Sequence, residues 1–118
     1  MDGQISWVLQ LRVKDGKLEE FRGVMEEMVA STRAEPGTLS YEWYADDDGT
    51  TVHVYERYAD DAATLAHVAA FGRDFASRFL DVVQPTGYTV YGNPGPDVRT
   101  ALDSMGATYM GELGGFVR

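Results

Sequence analysis

Two histidines, an arginine and a tyrosine are the side chains of this sequence best suited by type and spacing to proton transfer. His53, Tyr55 and Arg57 alternate along one segment, and His67 lies further along the chain. Alternate residues of a strand share a face, so the first three form a row that could bind a phenolate through charge-assisted hydrogen bonds from Arg57. An ordinary histidine titrates at a pKa of about 6.5, which suits His67 to proton exchange near neutral pH.

Each of these residues also has a structural interpretation, which the sequence leaves open. His67 could be a helix-surface or dimer-contact histidine. The row of His53, Tyr55 and Arg57 could pair with cross-strand neighbours near a hairpin or an interface.

Three large aromatic side chains are candidates for contact with an aromatic ligand. Trp7, Tyr41 and Trp43 lie at the parity of the most apolar face of their strands, where they could stack against a ring. Packing in the core of a sheet domain is the more common role of such residues, and it remains the alternative.

Glu56 stands out because it has the opposite parity to the histidine row. It shares its face with Val52 and Val54, and a carboxylate on an apolar face needs a partner or a raised pKa. We expect a structural hydrogen bond or an ion pair across a dimer rather than a catalytic acid.

Composition excludes several classes of function. The chain has 118 residues, with 19 acidic against 10 basic side chains and no cysteine. The net charge of −9 disfavours nucleic acid and anionic membranes as partners. The absence of cysteine excludes disulfides and thiol chemistry, and two histidines 14 residues apart form no zinc pattern, so no metal site is expected.

The amino terminus shows no signal-peptide pattern, and no apolar run reaches the ~18 residues of a membrane span. We therefore expect a soluble cytoplasmic protein.

Hydrophobic periodicity predicts the elements that must position these residues. Alternation predicts strands at 5–14, 38–46, 51–59 and 88–91, the second and third joined by a hairpin. Spacings of three and four predict a helix at 17–33 with Asp15 as its N-cap.

A second helix should follow Asp60 as its cap, with a break expected at Gly72 and helical spacing resuming to Val83. We expect the stripe of Leu65 and Ala69 to meet the sheet. His67 would then lie away from it.

The order β-α-β-β-α-β predicts an α+β fold with a four-stranded antiparallel sheet and both helices on one face. The strands carry large apolar residues at both parities, for example Trp7 against Val8. The strands of a sheet with one face in water should show a clearer alternation of apolar and polar residues. We therefore expect a homodimer in which a second copy covers the open face.

Residues 93–118 differ from this core. A turn leads to a short amphipathic helix through Val98 and Leu102, then to a strand at 107–110 and a glycine-rich tail. We predict one domain over 1–118, with a core at 4–92 and a helix–strand extension at 93–118 that packs across the dimer.

Three short motifs stand out within about residues 5–91: Glu35-Pro36-Gly37 followed by Tyr41, then Tyr55-Glu56-Arg57-Tyr58, and Leu65-Ala66-His67. In these motifs the chain resembles the antibiotic biosynthesis monooxygenase (ABM) domain family of the dimeric α+β barrel superfamily. The sequence departs from the family in one respect. Many relatives carry a second histidine a few residues after the one that matches His67, and residues 70–75 of this chain contain none.

The resemblance implies a ferredoxin-like sheet and a cofactor-independent monooxygenase that oxidises a small aromatic quinol or polyphenol with molecular oxygen. His67, Arg57 and Tyr55 would be catalytic, and the expected substrate contacts are Trp43, His53, Tyr41 and Trp7. No cofactor is expected. The alternatives are a non-catalytic ligand-binding or structural dimer of the same fold and, as a third reading, a haem-binding or haem-degrading protein.

Overall fold

The computed structural model describes residues 3–118 as one five-stranded sheet with helices. The elements in chain order are β1 (Ile5–Val13), α1 (Leu18–Arg33), β2 (Thr38–Ala45), β3 (Thr51–Tyr58), α2 (Asp61–Asp74), α3 (Ala76–Val82), β4 (Val83–Tyr91), α4 (Pro96–Asp103) and β5 (Thr108–Met110). Within this described part, no helix is long and apolar enough to cross a membrane. The predicted α+β, ferredoxin-like fold class is confirmed.

The strands lie in the order β2-β3-β1-β4-β5. All neighbouring pairs are antiparallel except β4 and β5, which run parallel. The strand predicted in the extension therefore joins the predicted four-stranded sheet as its fifth strand.

Helix α1 forms because Phe21, Val24 and Met28 recur at helical spacing and are buried together against the sheet. It begins two residues later than the Asp15 cap would require. Its N-cap position is Lys17, without a side-chain cap, because Asp15 and Gly16 form a turn with Gly16 at a φ of 75°. The prediction that Asp15 caps this helix is wrong.

The second helical segment begins as predicted, with the Asp60 carboxylate accepting a hydrogen bond from the backbone N–H of Ala63 at 2.8 Å. The break falls at Phe75 and not at Gly72. Gly72 is exposed, so the helix passes through it without a packing defect. Phe75 leaves the helical conformation and packs its ring against the core.

The stripe of α2 that faces the sheet differs from the predicted one. Thr64 and His67 are the buried residues, whereas Ala69 is exposed and Leu65 is half-buried. Alanines on several sides of this helix leave its apolar stripe poorly defined by sequence. The helix is rotated from the expected orientation, and His67 points inward.

Strand β4 is longer than predicted and begins at Val83, which the helical spacing had assigned to the preceding helix. It includes Pro85, which cannot donate a ladder hydrogen bond. A register shift between Gln10 and Leu11 of β1 accommodates this irregular stretch.

The extension packs on its own chain. Val98 and Leu102 of α4 are fully buried in a cluster with Ile5, Trp7 and other sheet residues. The expectation that the whole extension packs across a dimer is therefore wrong for α4 and β5. It remains a prediction for residues 111–118, whose apolar side chains are exposed.

The two faces of the sheet have different environments. Alternate residues of β3, among them Val52, Val54 and Glu56, are buried beneath the helices. The other set, which includes His53, lies on the open face together with Val8 of β1. This division determines which candidate residues can meet.

We predict that Leu102→Ala lowers the free energy of unfolding by about 2–5 kcal/mol, because it removes a fully buried side chain and leaves a cavity. Urea denaturation measures this change. Leu113→Ala is the matched control, since Leu113 is fully exposed and its truncation should leave stability unchanged. Equal effects of the two substitutions would contradict the packing of α4 on its own chain.

Candidate functional site

A buried histidine held between two carboxylates is the centre of the candidate site. His67 extends from α2 towards the sheet, Glu56 rises from the core face of β3, and Glu35 comes from the turn after α1. His67 is 7% exposed and Glu56 is 4% exposed. Three separate elements therefore bring ionisable groups into the apolar interior.

Both imidazole nitrogens of His67 contact a carboxylate. Nδ1 lies 2.9 Å from Glu35 Oε1, and Nε2 lies 3.2 Å from Glu56 Oε1. The Tyr58 hydroxyl donates to Glu56 Oε1, and Thr38 Oγ1 donates to Glu35 Oε1 at 2.8 Å. The partner that Glu56 required is thus His67 of its own chain, and not a group across a dimer.

The two carboxylates control the protonation of His67. Burial favours the neutral imidazole, but the hydrogen bond and charge of Glu56, together with those of Glu35, outweigh burial and raise the pKa of His67. The imidazolium is therefore stabilised between two acceptors.

Two tyrosines beside this centre remain protonated. Burial is the largest cause that raises the pKa of Tyr41 and of Tyr58, and the charge of Glu56 adds to it in both. Tyr41 also lies with its ring 5.6 Å from the His67 ring, nearly edge-on. Both hydroxyls are therefore hydrogen-bond donors at any physiological pH.

A small inner chamber of about 30 Å³ borders this group between the helices and the sheet. It has room for one water-sized group. Its polar lining comes from Glu56 and His67, while the remaining walls are aromatic or aliphatic: Trp7, Leu9, Met28, Tyr41, Trp43, Val54, Val68, Phe71, Phe79, Tyr88 and Met105.

A larger outer cavity of about 400 Å³ adjoins the inner chamber. The two share six lining residues: Leu9, Val68, Phe71, Phe79, Tyr88 and Met105. Its other walls come from α3, from Pro85 and from α4 through Ala101 and Ser104. A volume of this size suits a small organic ligand, and the extension supplies part of it.

Two buried donors in these walls have no hydrogen-bond partner within residues 3–118: the indole N–H of Trp43 and the hydroxyl of Tyr88. Unpaired buried polar groups are uncommon in folded proteins and cost roughly 1–3 kcal/mol each. Both residues line the inner chamber, so a ligand bound there can supply the missing acceptor.

The structure brings four of the residues predicted from sequence into one place. His67, Tyr41, Trp43 and Trp7 all line the inner chamber. Trp7 packs edge-on against Tyr88, and Trp43 packs edge-on against Tyr41. Whether they contact a substrate stays a prediction.

The other three candidates lie on the opposite face of the sheet. His53 is exposed, and Arg57 donates to the Tyr55 hydroxyl through Nε and Nη2 and to Gln4 through Nη1. Side chains at alternate positions of β3 project from opposite faces. Arg57 and Tyr55 therefore do not reach an anion held beside His67 in the same chain, and their catalytic role stays a prediction.

Sequence reasoning gave Glu56 a structural role and assigned none to Glu35 or Tyr88. For Glu56 the signal was present, because a carboxylate at the buried parity of a strand demands a partner. Glu35 and Tyr88 carried no comparable signal. Glu35 precedes a turn, and the sequence pattern predicts Tyr88 only as an ordinary strand residue.

We predict that His67 titrates above the ordinary histidine pKa of about 6.5, because two carboxylates stabilise its charged form. Its stabilising contribution is then fully present below the unfolded-state pKa and is lost as the pH rises through the folded-state pKa. The difference in unfolding free energy between wild type and His67→Gln should therefore shrink as the pH rises above about 6.5.

NMR titration of His53→Gln, which leaves His67 as the single histidine, measures the midpoint directly. Glu56→Gln should move this midpoint down, since it removes the carboxylate that contacts Nε2. A midpoint at or below the ordinary value would contradict the assigned contacts.

Comparison with known proteins places this chain in a family. The family model described as antibiotic biosynthesis monooxygenase matches residues 5–86. No curated protein sequence matches the chain.

Solved structures share the fold. MupZ from Pseudomonas fluorescens superposes with a TM-score of 0.86 at 22% identity, over 98% of this chain and 94% of that one. SnoaB, a cofactor-independent oxygenase from Streptomyces nogalater, gives 0.66 at 16% identity over 79% and 95%. Protein SO0527 from Shewanella oneidensis gives 0.63 at 27% identity over 76% and 88%. The matched family model covers well over half of the sequence, so the chain belongs to the antibiotic biosynthesis monooxygenase family.

Proposed function

We propose that this protein is a cofactor-independent monooxygenase that oxidises a small aromatic quinol or polyphenol with molecular oxygen. The observation that carries the proposal is the Glu35–His67–Glu56 group, whose His67 and Glu56 are buried at the end of an apolar cavity. Family membership and the fold shared with the oxygenase SnoaB support the same reaction class.

Direct oxidation by oxygen requires removal of a substrate proton, since the phenolate is far more electron-rich than the phenol. Glu56 lines the inner chamber, and its contacts with His67 and Tyr58 are made through Oε1. Its other oxygen, Oε2, accepts the substrate proton in our proposal. Both nitrogens of His67 already contact carboxylates, so the imidazole acts through Glu56 rather than on the substrate directly.

The net charge of the three side chains and the substrate together does not change during this step. With the proton on His67, one positive charge lies between two negative ones. When Glu56 takes up the substrate proton, the new negative charge moves to the substrate. The neighbouring imidazolium then stabilises that anion.

The overall reaction balances without an external reductant. A quinol and one molecule of oxygen give a hydroxyquinone and one water. One oxygen atom forms the new bond to carbon and the other leaves as water, and the electrons come from the ring. The apolar walls contribute by holding the ring and by keeping bulk water from the anion.

The alternative of a non-catalytic ligand-binding or structural dimer is favoured by one observation. The inner chamber holds only a water-sized group, so an aromatic ring enters it only if a wall residue moves. A ring held in the outer cavity alone would be bound away from Glu56. Haem binding is less well supported, because His67 would have to give up a carboxylate contact to become an axial ligand.

We predict that Glu56→Gln lowers the rate of oxygen uptake with a quinol by about 10²–10⁴-fold, the usual contribution of a positioned base. The glutamine keeps the size of the side chain but cannot accept the proton. An oxygen electrode with quinols reduced anaerobically beforehand measures the rate. His67→Ala should also lose most of the activity.

Glu42→Gln is the matched control, because Glu42 is exposed on the opposite face, where its carboxylate accepts from Ser40 and Tyr44. It should retain the wild-type rate. No oxygen uptake by wild type across a quinol panel, or equal rates in wild type and Glu56→Gln, would refute the proposed reaction.

We also propose that two copies associate through the open face of the sheet. Val8 lies at its centre, opposite Tyr55 of β3 and Thr89 of β4. Tyr44 and Tyr91 on the same face are 57% and 39% exposed. A second sheet laid on this surface would bury these side chains and leave the cavity on the helix side free.

We predict that Val8→Glu shifts the protein from dimer towards monomer, because it places a charge in the middle of the covered surface. Sedimentation velocity at micromolar concentration measures the distribution. Ala30→Glu adds the same charge on the exposed surface of α1 and should leave the dimer intact. A monomeric wild type would refute this association.

A further inference from the structure

Tyr88 is a buried donor that the proposed reaction does not use. It lines both the inner chamber and the outer cavity, so it marks the boundary between them. Its side chain is 7% exposed, and its ring packs edge-on against Trp7 at 5.5 Å between centroids. The ring is therefore held firmly in the wall.

The hydroxyl of Tyr88 keeps its proton and can donate it in a hydrogen bond. Burial raises its pKa, and the charge of Glu56 raises it further, so the group stays protonated. It finds no acceptor among the described residues. A phenylalanine would fill the same wall without the cost of burying an unpaired hydroxyl.

We propose that the Tyr88 hydroxyl recognises the ligand by donating a hydrogen bond to an acceptor oxygen, of the carbonyl or phenolate kind. Such a ligand has its oxygen at the boundary of the two chambers and its apolar part in the outer cavity. Ligands of equal shape that lack this oxygen bind less well, because they leave the donor unpaired. Tyr88 is thus a specificity-determining residue.

Access to the hydroxyl requires a small movement of the wall, since its neighbours shield it in this conformation. Met105 is the residue placed to move. It lines both chambers, follows the end of α4 and is 39% exposed. Its unbranched thioether side chain changes rotamer at little cost. The extension therefore places a flexible side chain in the wall that the two chambers share.

This inference rests on the proposed function only where it calls the ligand a substrate. The test therefore measures binding without turnover, under anaerobic conditions, with two probes of matched shape. 1-Tetralone carries a carbonyl oxygen that accepts and cannot donate, and tetralin has a methylene in its place. The indole NMR signals of Trp7 and Trp43, the two tryptophans of the chain, report on the inner chamber.

Wild type should bind 1-tetralone more tightly than tetralin. Tyr88→Phe should weaken 1-tetralone binding by about 3- to 10-fold, as expected for one neutral hydrogen bond. Tetralin binding should stay within twofold of wild type. The Tm of this variant should equal or exceed that of wild type, because the buried hydroxyl has no partner to lose.

Tyr91→Phe removes a hydroxyl from the opposite face and should change neither affinity. A wild type without preference for 1-tetralone overturns the inference, as does a Tyr88→Phe variant that keeps the preference or loses both ligands equally. A lower Tm for Tyr88→Phe would assign the hydroxyl a structural role instead. Failure of oxygen uptake with intact 1-tetralone preference would reject the reaction and leave this recognition in place.

Discussion

A carboxylate buried on the core face of a central strand is the constraint on which the rest of this structure depends. Glu56 is nearly inaccessible and has Val54 and Tyr58 as its neighbours on that face. A buried charge without a partner costs several kcal/mol, and breaking such a pair typically costs about 3–5 kcal/mol. The fold meets this requirement by turning His67 of α2 inward. Its imidazole in turn needs Glu35, which the turn after α1 supplies.

This requirement explains features that look unrelated. The helix α2 presents Thr64 and His67 to the sheet instead of its more apolar stripe. Next to this polar group, a cavity remains between α2, α3 and β4. The extension partly closes it, since Leu102 anchors α4 while Met105 reaches the chamber. The polar group thus borders the inner chamber, and the extension supplies wall residues to both chambers.

The regular parts of the fold could be predicted because their physics is local. Period-two alternation located β1, β2 and β3 nearly to the residue, and the Asp60 cap marked the start of α2. The predictions that failed concern features that depend on long-range packing. The rotation of α2 depends on Glu56 across the sheet, and the early start of β4 depends on its register with β1. The site was half predictable for the same reason: strand parity separated Glu56 from the His53 row, but no local pattern revealed Glu35 or Tyr88.

The pleat of β3 also separates two sets of side chains on opposite faces of the sheet. Its core-facing residues carry the ionisable group beside the cavity, and its outward row carries Arg57, whose guanidinium is held by Tyr55 and Gln4. A guanidinium held by these two hydrogen-bond partners gives the open face a fixed polar group. Substitutions on one face of β3 can therefore leave the other face unchanged, because no side chain of a strand lies on both. The cavity walls, including those that the extension supplies, can likewise change without altering the residues of the open face.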